Sequence, residues 1–223
     1  MGSAQDTLQR QGFVHLAEVL PGAGALAEVA LADGAVGGSR CLLDQPWCSE
    51  LARELRRHVM LAPLLPPDAV AVQCTYFEKS SDRNWLVAVH QDLSIPVATR
   101  IEAPGWGGWS TKEGSLFAQP PRAVLESLVA LRVHLDHCGP EDGALRFVPG
   151  SHRLGVMDAS QAVQMRDRFG EQLCTAEVGD VIVMKPLTLH ASSKSRGVSR
   201  RRVLHFLFGP AGLPDGAEWA RRV

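Results

Sequence analysis

The chain has 223 residues, enough for one domain with a sizeable core, and 45% of them are hydrophobic, as in ordinary water-soluble globular proteins. Its 23 Lys and Arg nearly balance 24 Asp and Glu, so no basic field favours nucleic acid or an anionic membrane. The five cysteines form no CxxC pair, which argues against a disulfide framework or a thiolate zinc site. Because no signal-like or membrane-spanning apolar run stands out, we expect a cytoplasmic protein with a small-molecule partner. The sequence leaves its oligomeric state open.

The N-terminal part, about residues 1–66, carries helical patterns. Asp6–Gln11 is predicted as a short helix that ends at Gly12, and Phe13–Leu16 as a short strand. Further helices are predicted over Ala23–Ala32 and over Cys48–Met60. In the last of these, apolar residues recur every four positions, at Leu51, Leu55 and Val59.

The part from about residue 69 to 209 consists of short runs rich in β-branched residues, bounded by Gly, Pro and Asp. The predicted strands are Ala69–Phe77, Trp85–His90, Val129–Asp136, Ala144–Val148, Val181–Met184 and Val203–Phe208. Helices followed by many strands predict a mainly β fold, a double-stranded β-helix (jelly roll, cupin-like) with the N-terminal helices packed on one outer face. We expect residues 1–223 to form this single domain. Residues 103–120 are rich in Gly and Trp and lack periodicity, which predicts a long functional loop such as a lid.

His90 and Asp92 stand two residues apart at the end of a predicted strand. On a strand, residues i and i+2 point to the same face, so both side chains can reach one metal ion. His190, which follows the predicted strand Val181–Met184, is the candidate third ligand. Two His and one carboxylate on one side of an ion leave its other side open, which is typical of oxygen-activating Fe(II). The sequence therefore predicts an iron site at His90, Asp92 and His190.

A second HxD motif, His134-Leu135-Asp136, offers an alternative pair of ligands. A single histidine in a strand is more often structural than a metal ligand. The spacing along the chain favours the first motif, because a jelly roll places several strands between its HxD strand and the distal histidine. Residues 93–189 have room for them, whereas residues 137–189 contain two clear strand patterns.

Three consecutive arginines, Arg200–Arg202, open the last predicted strand. A guanidinium pairs bidentately with a carboxylate, which suits the far carboxylate of a dicarboxylic cosubstrate. A charge run at a strand end is otherwise a solvated surface feature. Alternation puts Arg201 on the face opposite to Arg200 and Arg202, and periodicity alone does not choose which face is buried.

Several motifs together resemble the phytanoyl-CoA dioxygenase family. They are His90-Gln91-Asp92, the segment Gly143–His152 with its Pro-Gly-Ser-His turn, Gly179-Asp180-Val181 through His190, and Arg201–Leu204. The resemblance runs in order over about residues 70–208, and Gly12-Phe13-Val14 is similar to the family's opening. It implies an Fe(II)- and 2-oxoglutarate-dependent dioxygenase that consumes O₂, releases succinate and CO₂, and usually hydroxylates its substrate.

The resemblance also implies roles for individual residues. In the family, the arginine eleven residues after the distal histidine binds 2-oxoglutarate, and that spacing selects Arg201. Gln73, seventeen residues before His90, matches a glutamine near the cosubstrate in the similar ectoine hydroxylase. Halogenating relatives replace the carboxylate ligand by a small residue, so the presence of Asp92 disfavours halogenation.

The substrate-binding residues are expected among aromatic and polar side chains around the barrel. Trp85, Trp106, Trp109 and Phe117 either line an apolar pocket or lid, or fold back as local core. Arg132 and His134 alternate on one strand, where they either contact substrate or form ion pairs within the sheet. Lys79 and Lys112 are expected to be solvated.

The expected substrate is a small organic metabolite or natural-product intermediate. Two alternatives stay open, because this kind of barrel supports many functions. One is a metal-dependent isomerase or hydrolase on the same barrel, in which Arg201 has no special role. The other is a non-catalytic relative that binds a ligand.

Overall fold

The computed structural model describes residues 2–32, 38–80 and 83–223. The helices in these ranges are α1 (Ala4–Gln11), α2 (Gly24–Ala32), α3 (Pro46–Arg57), α4 (Arg122–Ser127) and α5 (Ala159–Phe169). The first strands are β1 (Phe13–Leu16), β2 (Val70–Glu78), β3 (Val87–His90), β4 (Ile95–Val97), β5 (Gly107–Lys112) and β6 (Ser115–Gln119). The later strands are β7 (Val129–His134), β8 (Leu145–Phe147), β9 (Gln172–Cys174), β10 (Val181–Met184), β11 (His190–Ser192) and β12 (Arg202–Gly209).

Helix α1 is fixed by local signals at both ends. The Ser3 hydroxyl accepts a hydrogen bond from the Asp6 N–H at 3.1 Å, and the Asp6 carboxylate accepts one from the Ser3 N–H at 3.0 Å. This capping box satisfies donors that the first helical turn leaves free. At the other end Gly12 adopts a left-handed conformation (φ 85°) that turns the chain into β1. The predicted helix end and strand are confirmed.

Gly12→Ala is expected to destabilise the protein. A left-handed backbone costs an L residue about 1–2 kcal/mol, and a Cβ at Gly12 would also overlap His152 Nδ1 and Thr188 Oγ1. Urea unfolding should show a lower midpoint with an unchanged slope. Gly22→Ala is the matched control, because Gly22 also has a positive φ (82°) but no atom of the described residues lies within 4 Å of the position that a Cβ would take. Equal losses in the two variants would contradict a contribution from the overlap.

Helix α3 is shorter than predicted. It ends at Arg57 instead of Met60, because His58 adopts an extended backbone (φ −62°, ψ 132°). Leu51 and Leu55 are buried as their spacing predicts, whereas Val59 lies beyond the helix and is 81% exposed. The four-residue spacing of Val59 therefore does not place it on the buried face.

The larger sheet contains five antiparallel strands in the order β1-β10-β7-β12-β2. Its outer face packs against the N-terminal helices, where Leu51 and Leu55 of α3 join Leu131, Val133 and Phe206 of the sheet in one core. The predicted position of the helices on one outer face is confirmed. None of the helices in the described ranges is long and apolar enough to cross a bilayer.

A second sheet, in the order β3-β11-β8-β9, packs against the inner face of the first. Residues of both sheets meet in a second core, in which the Phe13 and Phe147 rings stack with their centroids 4.3 Å apart. All six predicted strands are present, within two residues of their predicted bounds. Two facing antiparallel sheets make the predicted jelly roll, so this fold class is confirmed.

The segment 103–120 is not the long loop that the sequence predicts. It forms the β5–β6 hairpin, whose strand β6 also pairs with β4. The hairpin turns through Glu113 and Gly114, both with positive φ (51° and 79°), as a tight two-residue turn requires. Buried and exposed residues do not alternate strictly along β5, which is why its sequence lacks the period of a strand.

Candidate metal centre and its cavity

The two candidate histidine ligands are neighbours in the smaller sheet. His90 ends β3 and is paired with His190, the first residue of β11, so their ring centroids lie 4.3 Å apart. Asp92 was expected to share a strand with His90. Strand β3 ends at His90, so Asp92 lies beyond the strand. Its N–H donates to the Pro186 carbonyl at 3.0 Å, which fixes the backbone beside the histidines.

Together these residues form a compact cluster. Asp92 Oδ1 lies 3.7 Å from His90 Nε2, and Asp92 Oδ2 lies 3.7 Å from His190 Nε2. One ligand-type atom from each side chain lies within 4.8 Å of the other two. The structure therefore brings together the three residues that the sequence selected.

Backbone carbonyls orient both imidazole rings. His90 Nδ1 lies 2.9 Å from the Ala88 carbonyl, and His190 Nδ1 lies 2.9 Å from the Thr188 carbonyl. Since a carbonyl only accepts, each Nδ1 must carry a proton, and Nε2 is the ring nitrogen on the side of Asp92 that is available to a cation. Burial lowers the pKa of His190 to about 4, although Asp92 acts in the opposite direction, so this ring is neutral at neutral pH.

The carboxylate of the cluster is ionised. Burial raises the pKa of Asp92, but the neighbouring His190, His205 and His90 outweigh burial and leave the pKa below its ordinary value. A neutral imidazole and an ionised carboxylate are the protonation states that metal binding requires. The cluster is thus chemically ready to accept a cation.

Gln91, between the two ligands of the HxD motif, was not selected from the sequence. Its side chain is buried, and its amide N–H groups donate to the Gly155 and Leu187 carbonyls, both at 2.8 Å. Its Oε1 accepts from the Met157 N–H at 2.9 Å. All hydrogen-bonding groups of a buried amide are used, so Gln91 ties the motif to two other segments. No pattern in the sequence indicates these long-range partners.

A cavity of about 320 Å³ opens above the cluster, and its lining includes Gln73, Arg132 and Arg201. Arg201 is only 3% exposed. Its Nη1 donates to the Gly143 carbonyl at 2.5 Å and to Ser192 Oγ at 3.3 Å, while its Nε is buried with no partner among the described residues.

The neighbouring arginines point away from this cavity. Arg200 Nη2 lies 2.8 Å from Glu78 Oε1, and Arg202 Nη2 lies 2.8 Å from Asp136 Oδ1. Both are thus neutralised, which leaves Arg201 as the inward member of the run. The structure shows that Arg201 lies on the buried face, which periodicity alone did not decide.

The second HxD motif is built differently. His134 is 2% exposed, and neither of its ring nitrogens has a partner among the described residues. Asp136 instead binds the Arg202 guanidinium and backbone. Within the described ranges this pair joins no cluster of three ligand-type side chains.

A model of the phytanoyl-CoA dioxygenase (PhyH) family matches residues 33–203, more than half of the chain. The chain belongs to the phytanoyl-CoA dioxygenase family. A curated relative, the dioxygenase cnsJ of Penicillium expansum, is 36% identical over 84 residues, which are 37% of this chain and 24% of that protein. The match thus spans about a quarter of the length of cnsJ.

Solved structures show the same fold. EctD from S. alaskensis superposes with a TM-score of 0.67 at 18% identity, covering 93% of this chain and 76% of EctD. The epimerase SnoN of nogalamycin biosynthesis, solved with Fe³⁺, alpha ketoglutarate and nogalamycin RO, superposes with a TM-score of 0.70 at 17% identity, covering 98% of this chain and 92% of SnoN. At these identities the likeness establishes the architecture.

Two lysines of this phytanoyl-CoA dioxygenase family member differ from expectation. Lys79 is fully buried rather than solvated, and its Nζ donates to Ser192 Oγ at 2.6 Å and to the Ser193 carbonyl at 2.7 Å. Burial, reinforced by the charge of Arg201, lowers the pKa of Lys79 to about 7. Lys112 is half-buried and lines the cavity. Lys79 is brought inside by contacts with β11, which is distant in sequence, whereas Lys112 lies beside Phe117 of its own hairpin.

Lys79→Met is expected to flatten the pH dependence of stability. Lys79 has a pKa of about 7 in the folded protein against 10.5 ordinarily, so the unfolded chain binds more protons between these values. The free energy of unfolding contributed by Lys79 therefore rises with pH across this window, and the variant lacks that rise. Urea unfolding of the metal-free protein at several pH values measures it, with exposed Lys194→Met as control. Parallel profiles for wild type and Lys79→Met would mean that Lys79 keeps an ordinary pKa.

The three candidate substrate tryptophans lie outside the cavity lining. Trp85 is 37% exposed, with the Lys79 Nζ 5.4 Å from its ring centroid. Trp106 donates from Nε1 to Asp215 at 2.9 Å, and Trp109 packs beside the second core. His134 is also not a lining residue, whereas Phe117, from the same aromatic set, is one.

Two further lining residues, Arg132 and His205, are paired across β7 and β12. Arg132 is 6% exposed, has a buried Nε with no partner among the described residues, and lies with its guanidinium 5.3 Å from the Phe77 ring centroid. Burial, followed by Arg201, lowers the pKa of Arg132 to about 9. His205 Nε2 lies 3.9 Å from Asp92 Oδ2. His205 was not selected from the sequence, although alternation places it on the face of Arg201.

Proposed function

We propose that this protein is an Fe(II)- and 2-oxoglutarate-dependent oxygenase that hydroxylates a small organic molecule. One observation carries the proposal: two imidazoles and one carboxylate converge at a cavity that also contains Arg201, a buried guanidinium whose Nε has no partner among the described residues. Membership of the phytanoyl-CoA dioxygenase family supports it. Solved structures of the same fold are described with iron and alpha ketoglutarate.

The cluster fits a ferrous ion. His90, Asp92 and His190 offer two nitrogens and one oxygen, the ligand set that non-haem Fe(II) oxygenases use. Both imidazoles are held in the tautomer that exposes Nε2. The open cavity leaves space on the remaining side of the ion for a chelating cosubstrate and O₂. Bound there, iron would couple O₂ activation to the decarboxylation of 2-oxoglutarate.

The remaining residues act by positioning. Arg201 pairs with the far carboxylate of 2-oxoglutarate, while its bond to the Gly143 carbonyl holds the guanidinium in place. Ser192 Oγ, which lies in the same lining, accepts from Lys79 and donates to the Gly143 carbonyl at 2.8 Å, so it helps to fix the carbonyl that holds Arg201. The amide of Gln73, held by Thr75 at 2.9 Å, lines the cavity as the family resemblance suggests.

The alternatives are disfavoured by the same cavity. An isomerase or hydrolase needs only the metal. Such an enzyme would not explain why Arg201 is buried with no carboxylate partner among the described residues, since burial of an unpaired charge is energetically unfavourable. A non-catalytic relative would not need three ligand-type side chains at one point, or two imidazoles held in the same tautomer. Structural relatives include an alpha-ketoglutarate-dependent epimerase and a carbocyclase, so the fate of the substrate is a separate question from cosubstrate use.

The test is an anaerobic titration of the Fe(II) protein with 2-oxoglutarate. We expect a weak visible charge-transfer band that saturates at one equivalent, followed by succinate formation when O₂ is admitted. Succinate requires 2-oxoglutarate, iron and O₂ together, which separates this chemistry from metal-dependent hydrolysis or isomerisation. The absence of both the charge-transfer band and succinate formation would overturn the proposal.

A further inference from the structure

The cavity carries more positive charge than the proposed reaction uses. Among the described residues, its lining contains the cations Arg40, Lys112, Arg132 and Arg201 but a single carboxylate, Asp92. In the proposed function Asp92 is occupied by a dication, and 2-oxoglutarate brings two negative charges. An excess of positive charge inside a partly desolvated cavity is unfavourable unless another anion enters it.

The two deeper arginines lie along the cosubstrate. Successive residues of an extended chain rise by about 3.4 Å, and Arg201 stands four positions before His205. Arg201 therefore lies roughly 14 Å from His205 along the direction of β12, and His205 is at the level of the metal cluster. Arg132 pairs with His205, and its guanidinium lies over Phe77, which pairs with Val203, one step toward Arg201. Arg132 and Arg201 thus accompany the two negative charges of 2-oxoglutarate.

Of the two cations that remain, Arg40 is already neutralised. Its Nη1 lies 3.2 Å from Glu113 Oε1, and its backbone N–H donates to Glu113 Oε2 at 2.7 Å. These bonds join Arg40 to the turn of the β5–β6 hairpin. Its charge is therefore already paired when a substrate arrives.

Lys112 has no such partner. It is the last residue of β5, and no hydrogen bond or ion pair joins its ammonium to an acidic side chain within the described ranges. Its Nζ lies 4.8 Å from the Phe117 ring centroid, and Lys112 lines the same cavity as Asp92 and His190. Lys112 therefore faces the metal cluster from the hairpin, which belongs to a different sheet from Arg201.

The cavity lining also has an apolar part, to which Phe117 beside Lys112 belongs. Leu93, Phe117, Leu128 and Leu207 share the lining with Lys112. Such a surface favours a hydrocarbon or aromatic body, and the ammonium at its edge favours one negative group. A neutral ligand of the same shape would leave Lys112 partly desolvated and unpaired.

We propose that the substrate is an organic acid with an apolar body, whose anionic group pairs with Lys112 while its body lies between Phe117 and the metal cluster. This inference rests on the proposed function and names the substrate class of that same site. It assigns Lys112 as the residue that distinguishes acids from neutral or basic analogues.

The test uses matched probes on the anaerobic protein loaded with Fe(II) and 2-oxoglutarate. The acids are phenylacetate, cinnamate and decanoate, each compared with its primary amide and with the corresponding primary amine. The readout is the probe concentration that perturbs the charge-transfer band, which needs no turnover. For at least one pair we expect the acid to act at a concentration about tenfold lower than its amide, as one charge-assisted hydrogen bond provides.

Lys112→Met should remove this preference while leaving the 2-oxoglutarate titration unchanged, and Lys112→Glu should favour the amine. Lys194→Met, an exposed lysine outside the cavity, should behave as wild type. Equal responses to acids and amides, no response to any acid, or a preference that survives in Lys112→Met would each overturn the inference. Failure of the band to form with 2-oxoglutarate alone would instead count against the proposed function.

Discussion

Arg201→Ala is expected to weaken 2-oxoglutarate binding by roughly thirtyfold to several-thousandfold, because truncating one partner of a desolvated charged pair costs about 2–5 kcal/mol. Arg201 is 3% exposed, and its Nε has no partner in the part of the chain that the structure describes, so alanine leaves the far carboxylate without its guanidinium. Charge-transfer titration of the Fe(II) protein measures the apparent affinity. Arg201→Lys keeps the charge but loses the fork, and should fall between wild type and alanine.

Arg200→Ala is the matched control for this series. Arg200 is adjacent and carries the same charge, but it pairs with Glu78 on the other face. Arg202 is less suitable, since it binds both Asp136 and Glu28, and its loss also affects stability. A large loss of affinity in Arg200→Ala with none in Arg201→Ala would show that the family spacing selects the wrong arginine. No loss in either would favour the isomerase or hydrolase alternative.

Removal of any one candidate ligand should abolish iron-dependent succinate formation. His90→Ala, Asp92→Ala and His190→Ala each leave two ligands from the compact cluster, and we expect Fe(II) affinity to fall by more than about hundredfold, since the loss of outer partners alone costs 10–100-fold. Binding is measured as iron retained after anaerobic desalting. Circular dichroism of each metal-free variant checks that the fold persists.

His134→Ala is the control for the iron measurement, because it removes the histidine of the other HxD motif. His134 is buried in the sheet, while Asp136 is engaged by Arg202. We expect iron binding to be retained, with some loss of stability from the vacated volume. Loss of iron in His134→Ala together with retention in His90→Ala would reverse the assignment of the ligands.

The parts of the fold that could be predicted are those that local patterns specify. The strands were recognisable because β-branched residues fill their buried positions, and the end of α1 because Gly12 takes a left-handed conformation there. Chain spacing favoured His90 over His134, since several strands had to lie before His190, and it is His90 that lies in the cluster with Asp92 and His190. These signals come either from a few neighbouring residues or from the number of elements along the chain.

The parts that could not be predicted depend on partners distant in sequence. Arg201 faces inward because Glu78 and Asp136, on other strands, neutralise its neighbours. Lys79 is buried by hydroxyl and carbonyl groups more than a hundred positions away. The β5–β6 hairpin was missed because its partly exposed strands lack a strict period of two.

The bonds of Gln91 bear on the behaviour of the protein without its metal. One amide cross-links the HxD motif to Leu187, three residues before His190, and to Gly155 and Met157. The segments that carry Asp92 and His190, the latter at the start of β11, are therefore joined by hydrogen bonds within the polypeptide. Part of the conformational entropy of arranging the candidate ligands is therefore lost when the chain folds and not when a metal binds.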